Sequence, residues 1–306
     1  MNHTNYDLIG DIHGQEAALR GLLGQLGYDE IAGAFRHPTR RAIFLGDFID
    51  RGPRIRETLH LVSAMLDAGS ALAVMGNHEY NALCMHTRGP DDVWLMDREN
   101  KLEHHQSTID AFAGREEEWR GWLEWMFALP VALDLGGLRV VHAAWDEALL
   151  ATLPTDWRIT PDYLVATRVP DSGAWTTAEI LLKGREAQLP AGYKFTDKSG
   201  IARHKVRVRW WLPPEGRTFA EVCLPHCPTV PELPLNGEGN WSGYPSEAPP
   251  VMLGHYWLRP ESIAPLAPNI GCVDYSVAGG GPLVAYRWDG ERVLDPAKYI
   301  LGPRGE

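Results

Sequence analysis

The chain has 306 residues, 44% hydrophobic and 23% charged, which fits one large or two modest folded domains and excludes a largely disordered chain. Lys and Arg total 29 against 40 Asp and Glu, a net charge of −11 that is ill suited to coating long nucleic acid. No apolar run reaches membrane-span length, no export signal precedes the first predicted strand, and four cysteines (Cys84, Cys223, Cys227, Cys272) are too few for a disulfide framework; a cytoplasmic protein without membrane partners is expected.

In chain order, Tyr6-Ile9 reads as a strand and Gln15-Leu26 as a helix, with Ala17, Leu19, Leu22, Leu23 and Leu26 apolar. Arg41-Leu45 is a short buried strand, Arg54-Ala68 a helix and Ala71-Met75 a third strand. This alternation predicts a parallel α/β arrangement. Tyr80-Leu129 reads as mostly helical, with Trp94, Trp119, Trp122 and Trp125 expected to pack inward and Cys84 and Met85 to fill core. Two apolar runs around Gly136-Gly137 predict a hairpin over 131–142. Ala143-Pro250 is irregular, and seven prolines mark Pro225-Pro250 as a long loop. Strands return at Val251-Gly254, Ile270-Asp274 and Leu283-Trp288.

Each of the first three strands ends in a polar loop: Gly10-Asp11-Ile12-His13-Gly14, Gly46-Asp47-Phe48-Ile49-Asp50-Arg51-Gly52 and Gly76-Asn77-His78-Glu79. Two later strands end at His142 and His255. Open α/β sheets bind ligands beyond the carboxyl ends of their strands, so these loops are expected to converge. In an extended segment Asp11 and His13, two residues apart, point the same way and can chelate one ion. Mixed carboxylate and imidazole donors suit Mn, Fe or Zn rather than Ca.

These loops resemble the signature motifs of the phosphoprotein phosphatase branch of the calcineurin-like metallophosphoesterases. The resemblance is strong over roughly residues 5–85 and resumes at Val140-His142, Gly254-His255 and Cys272-Val273-Asp274. It implies a four-layer αββα sandwich and two divalent ions, manganese first with iron or zinc as alternatives. Asp11 and His13 would hold one ion, Asn77 and His142 the other, Asp47 would bridge, and His255 would join either side. A metal-bridging hydroxide would attack phosphorus in line, with Arg51 gripping the phosphate, His78 protonating the leaving oxygen, Asp50 orienting His78 and Glu79 supporting the loops. Where the family has His-Gly-Gly or His-Ala-Gly, this chain has His142-Ala143-Ala144, which bears on the shape of the substrate groove.

The residues 146–250 are expected to form a cap or insertion lobe within a single 1–306 domain. Eight cations lie between Lys183 and Arg209 against Glu186 and Asp197, and Lys205-Trp210 alternates as a strand. The resemblance implies one more phosphate-binding arginine, for which Arg203, Arg207 and Arg209 are candidates; the alternative is a solvated strand face. Cys223-Leu224-Pro225-His226-Cys227 lacks a second pair for a zinc site. His104-His105 and Glu116-Glu117-Glu118 read as surface.

The leading expectation is a phosphatase for phosphoserine, phosphothreonine or small phosphate monoesters. The alternative is a nucleotide hydrolase cleaving diadenosine tetraphosphate, as bacterial relatives with these signatures do, with Trp175, Trp210 and Trp211 stacking bases. A non-catalytic scaffold predicts lost ligands, and every ligand position is present.

Overall fold

The computed structural model describes residues 5–96, 102–196, 200–237 and 239–306. Its strands are β1 (Tyr6–Ile9), β2 (Asp29–Ile31), β3 (Ala34–Arg36), β4 (Arg41–Phe44), β5 (Ala71–Ala73), β6 (Ala132–Asp134), β7 (Arg139–Val141), β8 (Glu186–Gln188), β9 (Phe195–Thr196), β10 (Ala202–Arg203), β11 (Lys205–Arg207), β12 (Val251–Leu253), β13 (Ile270–Cys272), β14 (Pro282–Trp288) and β15 (Tyr299–Arg304). Five helices matter for the site and its support: α1 (Glu16–Leu26), α2 (Ile55–Asp67), α3 (Asn77–His86), α4 (Leu102–Ala111) and α5 (Glu116–Phe127).

Two sheets carry the fold. One has the order β15-β14-β1-β4-β5, the other β13-β12-β7-β6. β1, β4 and β5 run parallel, as do β7, β12 and β13. Period-two alternation sorts their side chains. Leu8, Ile43, Val140, Met252, Val284 and Tyr286 form one buried cluster drawn from both sheets. Their neighbours Ile9, Phe44, Val141, Leu253 and Ala285 belong to a second cluster with the helices. That division is the expected αββα sandwich, and each fully buried aliphatic chain contributes about 1.5–3 kcal/mol.

α1 buries Leu19, Leu22, Leu23 and Leu26 and stops where Gly27 takes a left-handed φ of 86°, its N–H turning back to Gly24 and Leu23 carbonyls. α2 buries Ile55, Leu59 and Val62. Trp119 and Trp122 are buried as expected, and Trp125 packs against the same core. The β6–β7 hairpin forms around Gly136-Gly137, with Leu135 N–H bonded to Leu138 O at 2.9 Å. The β2–β3 hairpin was not foreseen, because two three-residue strands turning at Ala32-Gly33 leave too short a pattern.

The segment after His142 holds β8 paired with β11 and β9 paired with β10. Ala187, Leu189, Val206, Val208, Phe219 and Val222 form a separate apolar cluster. The Lys205-Trp210 alternation holds for burial, since Val206, Val208 and Trp210 are inside, but the strand ends at Arg207. No helix among the described residues is long and apolar enough to cross a membrane.

Candidate metal centre and active site

Five parallel strands of the two sheets deliver the signature residues: β1 leads to Asp11 and His13, β4 to Asp47, β5 to Asn77, β7 to His142 and β12 to His255. Close packing of these loops depends on two glycines. A Cβ on Gly76 would lie 2.2 Å from Asp47 Oδ1, and one on Gly254 would lie 2.3 Å from Asp11 Oδ1. The extended Asp11-to-His13 segment is not what forms. His13 sits in a turn with φ 47°, so the turn rather than strand alternation aims its ring.

Asp47 is the hub. Its Oδ2 stands 3.6 Å from His13 Nε2, 3.5 Å from His142 Nε2 and 3.9 Å from His78 Nε2. Two groups result, His13/Asp47/His78 and Asp47/His142/His255, each with one ligand atom per residue within 4.8 Å of the others. Asn77 Oδ1 lies 2.7 Å from His255 Nδ1 and 3.1 Å from His142 Nε2, which brings His255 to the Asn77 side of the cluster. Asp11 accepts the backbone N–H of His255 with both oxygens, at 3.2 and 3.1 Å.

The donor set fits divalent cations. His13 Nδ1–H donates to Ile49 O at 2.9 Å and His142 Nδ1–H to Leu45 O at 2.6 Å, since a carbonyl can only accept. Each ring therefore presents Nε2 to the Asp47 carboxylate. Lone pair facing lone pair requires a cation or a proton between them. Burial, then the neighbouring His78, pushes His13 down to about 3, so its ring is neutral. Burial opposes charge on His142 as well, but Asp47 overrides it and lifts that ring to about 10. Burial and the charge of Asp274 raise Asp11 well above the usual carboxylate range, and burial raises Asp274 too. Three buried carboxylates, Asp11, Asp47 and Asp274, thus crowd one site, where Arg51 and His142 are the basic groups that face them.

Beside this cluster, His78 Nδ1–H donates to Asp50 Oδ2 at 2.5 Å. That bond leaves Nε2 as the nitrogen facing the site. Burial works against the charged ring, yet Asp47 and Asp50 raise the His78 pKa. Arg51 Nη1 lies 3.3 Å from His13 Nε2 and Nη2 3.4 Å from His78 Nε2. A pocket of about 150 Å³ opens here, lined by Asp50, Arg51, Asn77, His78, Asn81 and His105, with Met85.

Several neighbours went unread in the sequence. Trp257 lies under Arg51, the guanidinium carbon 3.9 Å from its ring centre, and the Trp257 backbone N–H donates to Asp274 Oδ2 at 2.6 Å. Asp274 had a signal, in the Cys272-Val273-Asp274 stretch where the resemblance resumes and in its place beyond β13, as Asp11 and Asp47 stand beyond their strands. The surface reading of His105 is corrected: the ring is buried and its Nδ1 lies 2.7 Å from Asp50 Oδ1. Packing against Trp119 and His86 explains why a polar stretch turns this residue inward.

The basic segment divides. Lys183 pairs with Glu179 and Arg185 with Asp146. Arg203 is exposed on β10. The charge of Arg209 is felt at Cys223, whereas that of Arg207 is felt at His255 and Tyr256. Asp197 and Lys198 lie outside the described residues. Trp210 and Trp211 are buried, so neither is free to stack a base; Trp210 Nε1–H instead donates to Ala143 O at 3.1 Å. Ala143 and Ala144 are buried too, and their N–H groups both reach Leu181 O. Cys223 and Cys227 are free thiols, and neither belongs to a metal-binding group among the described residues.

A bis(5'-nucleosyl)-tetraphosphatase, symmetrical, of Aromatoleum aromaticum is 26% identical over 298 residues, 94% of each chain. The asymmetrical bis(5'-nucleosyl)-tetraphosphatase PrpE of Halalkalibacterium halodurans is 43% identical over 74 residues, 24% of this chain and 30% of that protein's length. Among solved structures, a protein serine/threonine phosphatase from Saccharomyces cerevisiae shares the fold at TM-score 0.50 and 14% identity, covering 100% of this chain and 82% of that one. Residues 5–175, more than half of the chain, match the description calcineurin-like phosphoesterase. The chain therefore belongs to the calcineurin-like phosphoesterase family and is a metal-dependent phosphoester hydrolase.

Proposed function

We propose that the chain is a nucleotide hydrolase that cleaves phosphoanhydrides of the dinucleoside tetraphosphate class. The observation that carries this is the match to a symmetrical tetraphosphatase over 94% of both chains, because it runs through 146–250 as well as the signature loops. This reverses the order of the two leading expectations from the sequence.

In this reading Asp11, His13 and Asp47 would hold one divalent ion, and Asp47, Asn77, His142 and His255 would hold the other, with manganese the expected metal. When bound, the pair supplies Lewis-acid stabilisation of phosphoryl oxygens and a water nucleophile active at neutral pH. The protein's own groups do the rest. Arg51, stacked on Trp257, offers a planar pair of donors to phosphate oxygens. His78 carries its transferable proton on Nε2, since Nδ1–H is committed to Asp50, and gives that proton to the leaving oxygen. Arg207, whose charge bears on His255, would serve as the second phosphate contact for a longer anion. Asp50-Arg51-Gly52 favours a second reading, a phosphomonoesterase acting on phosphoserine, phosphothreonine or small esters.

The test compares phosphate-bond cleavage by the manganese-loaded enzyme on diadenosine tetraphosphate and on a phosphothreonine peptide, with a chelator control and chromatography of the nucleotide products. Chelator-sensitive dinucleotide cleavage well above peptide turnover is expected. Fast peptide turnover with little nucleotide cleavage would overturn the proposal in favour of the second reading.

A further inference from the structure

Asp50 is gripped from the side opposite His78. Its Oδ1 lies 2.7 Å from His105 Nδ1 and accepts the Thr108 hydroxyl at 2.5 Å, while its own N–H donates to Thr108 Oγ1 at 3.0 Å. Its Oδ2 meets His78 Nδ1 at 2.5 Å. His105 and Thr108 belong to α4, outside every signature loop, and both residues are 1% exposed. Asp50 needs such a brace for two reasons. Carboxylate torsions are broad, so one hydrogen bond to His78 leaves the group free to swing. Asp50 and Arg51 also occupy left-handed backbone at φ 71° and 70°, a conformation that persists only where surrounding contacts hold it.

We propose that His105 and Thr108 are positioning residues for the leaving-group acid: they pin the backbone and one carboxylate oxygen of Asp50, so that the other oxygen fixes the tautomer and direction of His78. Thr108 does this with one hydroxyl that accepts from the Asp50 backbone and donates to its side chain. His105 adds the second donor, its ring packed near Trp119 and His86 with centroids 5.9 and 5.7 Å away. The inference rests on His78 acting as the acid, and two readouts keep the two ideas separable.

The first readout is kinetic, with phenyl phosphate, whose phenolate must be protonated, set against 4-nitrophenyl phosphate, whose nitrophenolate leaves unaided. His105→Leu and Thr108→Val are expected to lower kcat on phenyl phosphate about 10-fold, a fraction of the 10²–10⁴ typical of a full acid. Their KM and their kcat on the nitrophenyl ester should stay within about twofold, and Thr108→Ser and His105→Asn should restore the loss. The second readout does not depend on turnover. The zinc-loaded enzyme is expected to show a far-downfield proton resonance from the His78–Asp50 bond, absent in His78→Ala and shifted or broadened in His105→Leu and Thr108→Val at unchanged metal content. If His78→Ala shows no preference between the two esters, the acid reading of His78 falls. If His78→Ala discriminates while His105→Leu and Thr108→Val leave both the ester ratio and the resonance as in the wild type, the positioning role falls.

Discussion

Glu79 clamps Asp47 through its backbone. Glu79 Oε2 accepts the Asp47 N–H at 2.8 Å and the Gly76 N–H at 3.0 Å, and Oε1 accepts the Phe48 N–H at 2.8 Å. One fully buried carboxylate thus ties the loop after β4 to the start of α3, where His78 N–H also reaches Asp47 Oδ1 at 2.9 Å. Burial, then the charge of Asp47, lifts Glu79 to about 7. Glu79→Ala leaves three buried N–H donors unmet, each worth about 1–3 kcal/mol. The expected result in denaturant unfolding is a loss of several kcal/mol. Glu79→Gln should fold better but bind metal about 10–100-fold more weakly, the usual penalty for loosening a ligand's support. Wild-type metal affinity in Glu79→Gln would remove the clamp from the account of the site.

Metal loading should expel protons. The His142 ring, lifted to about 10 by Asp47 against the cost of burial, is charged in the metal-free protein at neutral pH. The His13 ring, pushed down to about 3, is neutral there. A cation seated between Asp47 and these rings displaces the proton from His142 and none from His13. Calorimetric titrations in buffers of different ionisation heat should therefore show at least about one proton released per chain. Apparent affinity should tighten as pH rises from neutrality toward about 10 and weaken as pH falls. A proton-neutral titration would contradict this assignment.

Two of the lobe arginines should separate in kinetics. Arg207→Ala is expected to raise KM for diadenosine tetraphosphate by roughly 10–100-fold, the equivalent of one lost charge-assisted hydrogen bond. Arg203→Ala, altering an exposed side chain on β10, should change KM less than about twofold. Equal effects from the two substitutions would point to a diffuse electrostatic contribution instead, and repeating the pair at high salt would reveal it.

Far from the centre, Asp7 on β1 is fully buried and bonded to Arg40 Nε at 2.9 Å, Arg287 Nε at 3.0 Å and the Tyr28 hydroxyl at 3.1 Å. Asp7→Ala removes one of the two carboxylates that pair with the buried Arg40 guanidinium and should cost up to about 3–5 kcal/mol in urea unfolding. The folded variant should keep its kcat and metal content. A variant as stable as the wild type would show that the remaining Arg40 contacts, to Asp289 and to the Tyr6 and Trp288 carbonyls, carry the network.

The β–α alternation through residue 75, the β6–β7 hairpin and the polar loops beyond the strands were legible because each is written in local order. Short apolar runs make strands, helical spacing makes α1 and α2, and glycine beside Asp, Asn or His marks the loops. Parallel strands then bring their carboxyl ends to one edge, so convergence of Asp47, Asn77, His142 and His255 follows from topology. What only the tertiary structure decided are contacts between segments far apart in the chain. His255 meets Asn77 across 178 residues, and His105 and Thr108 reach Asp50 across 55 and 58. Neither periodicity nor spacing encodes such meetings. A polar stretch on α4 looks solvated until packing against Trp119 turns it inward, and a turn at His13 replaces the strand that alternation implied. Side-chain direction at a loop depends on backbone conformation and on neighbours supplied by other elements, and those exist only once the sheets and helices have packed.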